Sequence, residues 1–540
     1  MQWRILGQPG GAAYHVHRGG PGGVAAMRLT FDLARWVCCG VAVFCIAPAL
    51  AQRPAESGSP AAVELPTERI ELIRLVDDAL LQMRDRRNEA TALATLDAIA
   101  DGPAIGRLDT ARQRQVLTST SFAATVAGEH ARAYALIRRV TALDTVTPAD
   151  WSARFYYALE AGETVDAFAS LTRVAEQWPE QMRRVPVNLI YRALQREARN
   201  LPNTDAELRL LTALFEIQWR DRYRGEPSEL WRQMALLLLE RGDVARAREA
   251  LARVTDPASV VRARADRRFD AMRAAEPALF DVAAAAAREL ERARNQAESL
   301  RDLIEPTLVL IGALDANNRC EEALEVTERA IERAAGPDAE KDPYRDGGRY
   351  FVWLLDWRAS LFGCLGRWDE ALRQRVQAAV LTESGSPNTS QVINLAGLYG
   401  RLGRPADALD AIERVGRRSE YGGMQEQSVR LRAYVQLGDA DGVRSALDFM
   451  SEHREDALAT YQSALLIAGD VDAAAAVLIQ RLDDERDRAD ALYGMQDFAD
   501  RPRPPFEEEG SGRWSELMER DDVSAAIERV GRIESYPFLR

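Results

Sequence analysis

The chain has 540 residues, 47% of them hydrophobic and 28% charged, with a formal net charge of −13. The apolar share is too high for a disordered chain, and the acidic balance argues against a nucleic-acid binder. Four His and five Cys argue against a metalloenzyme and against a disulfide-rich scaffold.

Lys341 is the only Lys among 70 basic residues, which reads as the codon bias of a GC-rich genome. In chain order, residues 1–26 are Gly-rich and patternless, and are read as a non-native extension before a start at Met27. Residues 27–51 have the layout of a secretory signal. Arg28 and Arg35 precede an apolar run from Trp36 to Ala47, and Ala49-Leu50-Ala51 offers a cleavage site before Gln52. The run is too short to span a bilayer comfortably, so cleavage is expected over an uncleaved anchor. Cys38, Cys39 and Cys45 lack the setting of a lipidation site. The first 51 residues hold four Arg and one Asp, so the mature chain carries −16. It keeps only Cys320, Cys364, His130 and His453 of the two scarce residue types. Residues 52–65, rich in Pro, Ser, Gly and Ala, are expected to be a flexible tether. No later segment reaches 18 uncharged apolar residues, so a soluble, non-spanning mature chain in the periplasm or outside the cell is expected.

The rest of the chain repeats a short pattern, Gly-x-x-x-x-Ala. Gly128 pairs with Ala133, Gly162 with Ala167, Gly242 with Ala247, Gly366 with Ala371, Gly403 with Ala408 and Gly469 with Ala474. Val443 stands at the Ala position after Gly438, and Asn318 stands at the Gly position before Ala323. An apolar stripe at helical spacing precedes each turn, as in Leu395, Ala396, Tyr399 and Leu402. A second stripe follows, as in Ala408, Leu409, Ile412 and Val415. The pattern predicts helix hairpins with a Gly turn and a small residue where the helices approach. A lone hairpin cannot bury both faces, so neighbours must stack.

The unit holding Trp151, Phe155, Gly162, Ala167 and Pro179 resembles the tetratricopeptide repeat family. So do the units with Trp231, Ala235, Gly242, Ala247 and Leu251, and with Leu395, Ala396, Tyr399, Gly403, Ala408 and Ile412. Clear matches cover residues 115–180, 227–256, 304–335 and 350–480. Residues 66–100, 185–220 and 256–300 are helical in pattern but match poorly. The resemblance implies an all-α solenoid. Its expected layout is degenerate repeats over 66–300, clearer repeats over 301–484 with a charged loop at 336–349, and Pro-interrupted capping helices over 485–540. One long helix is expected to run from about 265 through the Ala-rich run 283–287. Pro306 is expected to open the next helix.

In this family the concave face of the first helices forms the ligand groove. The matching positions here include Trp353, Asp356, Ser360, Asn394 and Arg401; ordinary core and surface is the alternative reading. Asn394 matches an Asn of the carboxylate-clamp subset. Asp356 and Ser360 stand where its Lys and Asn would be, which argues against chaperone-tail binding of that type. By the repeat register, Cys320 opens one helix and Cys364 ends the next, at the same edge. A disulfide there would close 44 residues and contribute roughly 4 kcal/mol; free thiols are the alternative.

Other signals have plainer readings. Asp439, Asp441, Gly442 and Asp448 imitate part of a calcium loop, but Leu437 stands at its first ligand position. Asn388-Thr389-Ser390 reads as a helix cap rather than a glycan site. His130 and His453 read as solvated. There is no P-loop, nucleotide-binding glycine motif, nucleophile elbow or zinc-protease motif. The expected function is therefore a non-catalytic, cofactor-free scaffold that binds a protein or peptide partner in the cell envelope. An acidic surface would favour Arg/Lys-rich partners. A role in polysaccharide export or assembly is the alternative, and an enzyme on a solenoid frame ranks below it.

Overall fold

Seven glycines picked out by the repeat pattern share one backbone conformation. In the computed structural model Gly128, Gly162, Gly242, Gly366, Gly403, Gly438 and Gly469 have φ between 70° and 90°. Asn318, at φ 54°, joins them, in the left-handed region that Asn tolerates better than most side chains. The residue after each turn donates its N–H to a carbonyl five positions back. Glu129 bonds to Ala124 at 2.8 Å, Arg319 to Leu314 at 2.9 Å, Arg367 to Phe362 at 2.8 Å and Asp470 to Leu465 at 2.9 Å. This is the long bond of a Schellman helix end. It satisfies a carbonyl the helix leaves open and turns the chain into the next helix.

The structure describes residues 65–85, 88–195, 197–223, 225–337, 339–383, 386–416 and 418–540. The signal, the extension before it and nearly all of the tether lie outside the described residues. The chain is all-α apart from four two-residue strands among the described residues. It forms two compact units that part between Trp219 and Arg220. No described helix is long and apolar enough to cross a membrane.

The N-terminal unit stacks three clear hairpins. They are α1 (Arg69–Asp85) with α2 (Glu89–Asp101), α3 (Thr110–Val126) with α4 (His130–Val140), and α5 (Pro148–Glu160) with α6 (Thr164–Gln177). The helices α7 (Val187–Gln195) and α8 (Asp205–Glu216) complete it. A capping box of Thr147 and Asp150, with Pro148 at the first helical position, starts α5. Leu72, Val76, Leu96, Ile99, Ile137 and Val140 are fully buried in one core. Ala133 and Ala167, the small residues of the repeat pattern, are buried.

The C-terminal unit opens with α9 (Ser228–Glu240) and α10 (Val244–Ala252), then α11 (Pro257–Ala265), α12 (Asp270–Ala275) and α13 (Val282–Ser299). The single long helix expected here is therefore broken. Asp266 uses its carboxylate on the Arg268 N–H, Pro277 interrupts the ladder, and Asp281 caps a fresh start through the Ala284 N–H. Regular hairpins follow: α14 (Ile304–Ala316) with α15 (Cys320–Ala335), α16 (Gly347–Cys364) with α17 (Trp368–Ala379), and α18 (Thr389–Arg401) with α19 (Pro405–Ile412). Next come α20 (Glu420–Leu437) with α21 (Ala440–Glu452) and α22 (Leu458–Ala468) with α23 (Val471–Asp483). Pro306 lies in the first turn of α14.

The end of this unit does more than cap a stack. The helices α24 (Arg488–Gly494), α25 (Glu508–Met518) and α26 (Asp521–Val530) follow, and α25 and α26 do cover α23. But α24 packs against α11, and the Arg532 N–H bonds to the Ala265 carbonyl at 3.0 Å. Glu534 accepts from Arg264 at 2.7 Å and Arg273 at 2.8 Å. The last residues of the unit thus close onto its beginning, a long-range contact that a purely nearest-neighbour stack lacks.

Candidate functional site

Asp356 lies in the middle of α16, and Ser360 lies one turn later on the same face. From α18, Asn394 Nδ2 donates to Asp356 Oδ1 at 2.8 Å. From α17, Arg375 pairs with the same carboxylate oxygen, and its Nη2 donates to Ser360 Oγ at 2.8 Å. Arg375 is buried, Asp356 and Asn394 are half-buried, and Ser360 is exposed. Three of the five groove positions read from the sequence therefore meet, around an arginine that was not among them. Arg375 falls between buried Ala371 and buried Ala378. That spacing marks the inward stripe of α17 and could have pointed to it.

The other two groove positions, Trp353 and Arg401, lie outside this hydrogen-bonded cluster. Trp353 is half-buried and packs with the apolar clusters around α16, so it is not an open platform. Arg401 ends α18, where residues 501–507 cross the repeat turns. The Phe506 N–H bonds to the Arg401 carbonyl at 3.2 Å, and Glu507 Oε1 lies 3.7 Å from Arg401 Nη1. Burial lowers the Arg401 pKa, with the Glu507 charge opposing it. Burial also pulls the nearby Arg432 down to about 10. The Pro-rich segment that the sequence showed only as a break is thus a strap along the turns. Arg501 anchors it on Asp315 and Asn318.

Cys320 and Cys364 come together as a disulfide with their Cα atoms 6.3 Å apart, joining the start of α15 to the end of α16. Asp315, Cys320 and Cys364 bring ligand-type atoms within 4.8 Å of one another. The two sulfurs are bonded to each other and the carboxylate carries Arg501, so the donor set is already spent.

The minor motifs resolve into local structure. Asn388 is buried and accepts from the Gln391 N–H, capping α18. Asp439 likewise caps α21 through the Gly442 N–H at 3.0 Å. His453 stacks on Phe449 with ring centroids 4.3 Å apart. His130, expected in solvent, is instead half-buried at the start of α4.

No family model matches the sequence, and no curated protein matches it. Among solved structures, the Cut9 and Hcn1 hetero-tetramer of the APC/C aligns over 86% of this chain and 96% of that one, at 12% identity and a TM-score of 0.27. The yeast Tom70 structure aligns over 85% and 98%, at 11% identity and 0.22. The P58(IPK) TPR domain aligns over 76% and 99%, at 13% identity and 0.19. The class of fold rests on this chain's own helices. Each unit is an all-α stack of helix hairpins that resemble tetratricopeptide repeats.

Proposed function

We propose that the protein is an exported, non-catalytic scaffold that holds a protein segment in the cell envelope. The observation that supports binding most directly is the Asp356, Arg375, Asn394 and Ser360 cluster, which ties three helices of consecutive hairpins together beside an exposed hydroxyl. Its charges are matched within the cluster, so it is suited to positioning a partner rather than to proton transfer. Export rests on the signal-like residues 27–51. Trp353 packs half-buried among apolar side chains, which supports the protein reading over the polysaccharide alternative.

Affinity capture from the cell envelope tests the reading, with Ser360→Arg as a blocking variant and Arg444→Glu as a remote control. Loss of the captured partner with Ser360→Arg alone is the expected result. Equal capture by both variants removes the cluster from the binding site. A mature chain in the cytoplasm overturns the export assignment, and an exported chain not beginning at Gln52 overturns the cleavage site.

A further inference from the structure

The charged loop at 336–349 looks like a plain insertion in the sequence, yet its residue Tyr344 lines one wall of a cleft. The Asp346 carboxylate accepts from the Ile304 N–H at 2.7 Å and the Glu305 N–H at 3.0 Å, capping α14. The Arg345 N–H bonds to the Asp302 carbonyl at 3.0 Å. These contacts hold Tyr344 in place, and the Arg333 guanidinium sits 4.2 Å from its ring centroid. The cleft, of about 510 Å³, lies between the end of α13, the start of α14 and the outer face of α15.

Its chemistry is divided by depth. Leu310 and Ala330 are buried, and with half-buried Val326 and Ala297 they form an apolar floor. Arg294, Arg301, Arg329 and Arg333 line it, against one acid, Glu298. Three of these arginines have acidic neighbours: Glu322 at 2.6 Å from Arg294, Asp342 at 2.9 Å from Arg333, and Glu325 at 3.8 Å from Arg329. Such solvated pairs are weak and yield readily to a better acceptor. Among the described residues the Arg301 guanidinium has no acceptor. Four guanidinium groups in one mouth reverse the sign of an otherwise acidic chain.

An apolar floor beneath forked cationic donors suits a molecule with an apolar body and an anionic head. We propose that this cleft binds a small amphipathic anion. The body lies on Leu310, Val326 and the Tyr344 ring, and a carboxylate or phosphate head is held by Arg301 and Arg329. The site is separate from the Asp356 cluster and stands or falls independently of it.

Titration calorimetry on the full chain tests this with decanoate, decyl phosphate, inorganic phosphate and decanol, each below its aggregation threshold. Decanoate or decyl phosphate should bind saturably at one per chain, and the tighter of the two identifies the head group. Inorganic phosphate and decanol should each bind at least tenfold more weakly, because each offers half of the recognition. Arg301→Gln, on an exposed side chain, should raise the Kd at least tenfold, whereas Arg444→Gln, far from the cleft, should leave it unchanged. No saturable binding of either amphiphile overturns the proposal. So does equal affinity in Arg301→Gln, or decanol binding as tightly as the anions.

Discussion

Arg501 grips Asp315 twice, through the carboxylate at 2.7 Å and through the backbone carbonyl at 2.7 Å, across 186 positions of sequence. Both side chains are almost fully buried, at 3% and 6% exposure. The pair sits where the strap of residues 501–507 begins and where the turn between α14 and α15 reverses. Removing Arg501 leaves the buried Asp315 carboxylate to the more distant Arg540 guanidinium, 3.9 Å away, a poor substitute for a direct hydrogen-bonded pair. We expect Arg501→Met to cost about 3–5 kcal/mol in unfolding free energy, measured by urea denaturation. Replacing both, as Asp315→Leu with Arg501→Met, should restore much of that loss, because two apolar groups leave no stranded charge. A double variant as unstable as the single one would show that the pair does not act through charge compensation.

How much of this was legible in the sequence divides along range. The turns were legible because each is local: Gly or Asn, a left-handed φ and a bond five residues back are all set within one hairpin. The broken stretch between α11 and α13 was misread because apolar periodicity continues across Asp266 and Pro277, while the caps that stop each helix are single side chains. Asp356, Ser360 and Asn394 were found through the repeat register. Their partner Arg375, and the strap residues Arg501, Phe506 and Glu507, were not. The strap meets turns up to 186 residues away, and no local pattern encodes such a contact. The closing of the C-terminal unit by Glu534 onto Arg264 and Arg273 was illegible for the same reason.

That closing contact should be visible in acid. Burial alone would raise the Glu534 pKa. Hydrogen bonds from Arg264 and the Tyr536 hydroxyl, with the charges of Arg264 and Arg273, together hold it at about 2, against an ordinary value of 4.5. A carboxylate lowered in the folded state contributes stability that is full above its unfolded pKa and lost as pH falls toward its folded one. Wild type should therefore lose stability more steeply than Glu534→Gln between about pH 4.5 and pH 2. Above that window the two curves should run parallel. Identical slopes throughout, read from denaturation midpoints at stepped pH, would contradict the contact.

The disulfide gives a prediction on the same unit. Closing 44 residues restricts the unfolded chain, which in the loop-entropy view contributes about 4 kcal/mol. Cys320→Ala with Cys364→Ala should lower the melting temperature by several degrees, and a reducing agent should do the same to wild type but not to the double variant. Peptide mass spectrometry without reduction provides the direct check; free thiols at both positions in the purified protein would remove the link.

Two turn glycines separate backbone strain from strap packing. Gly403 and Gly438 have nearly equal φ, 72° and 70°, so Ala at either carries a similar left-handed cost, about 1–2 kcal/mol. Their surroundings differ. A Cβ at Gly438 meets open space, whereas one at Gly403 overlaps the Phe506 ring of the strap. Gly438→Ala should therefore show the backbone cost alone, and Gly403→Ala should show more. In a Phe506→Ala background the overlap is gone, and the cost of Gly403→Ala should fall to that of Gly438→Ala. A double-mutant cycle by urea denaturation reads the difference as a coupling between positions 403 and 506. A coupling near zero would mean that the strap does not rest on this turn in solution. A clear coupling would tie the strap, and with it the Glu507 carboxylate facing Arg401, to the folded state of the repeats.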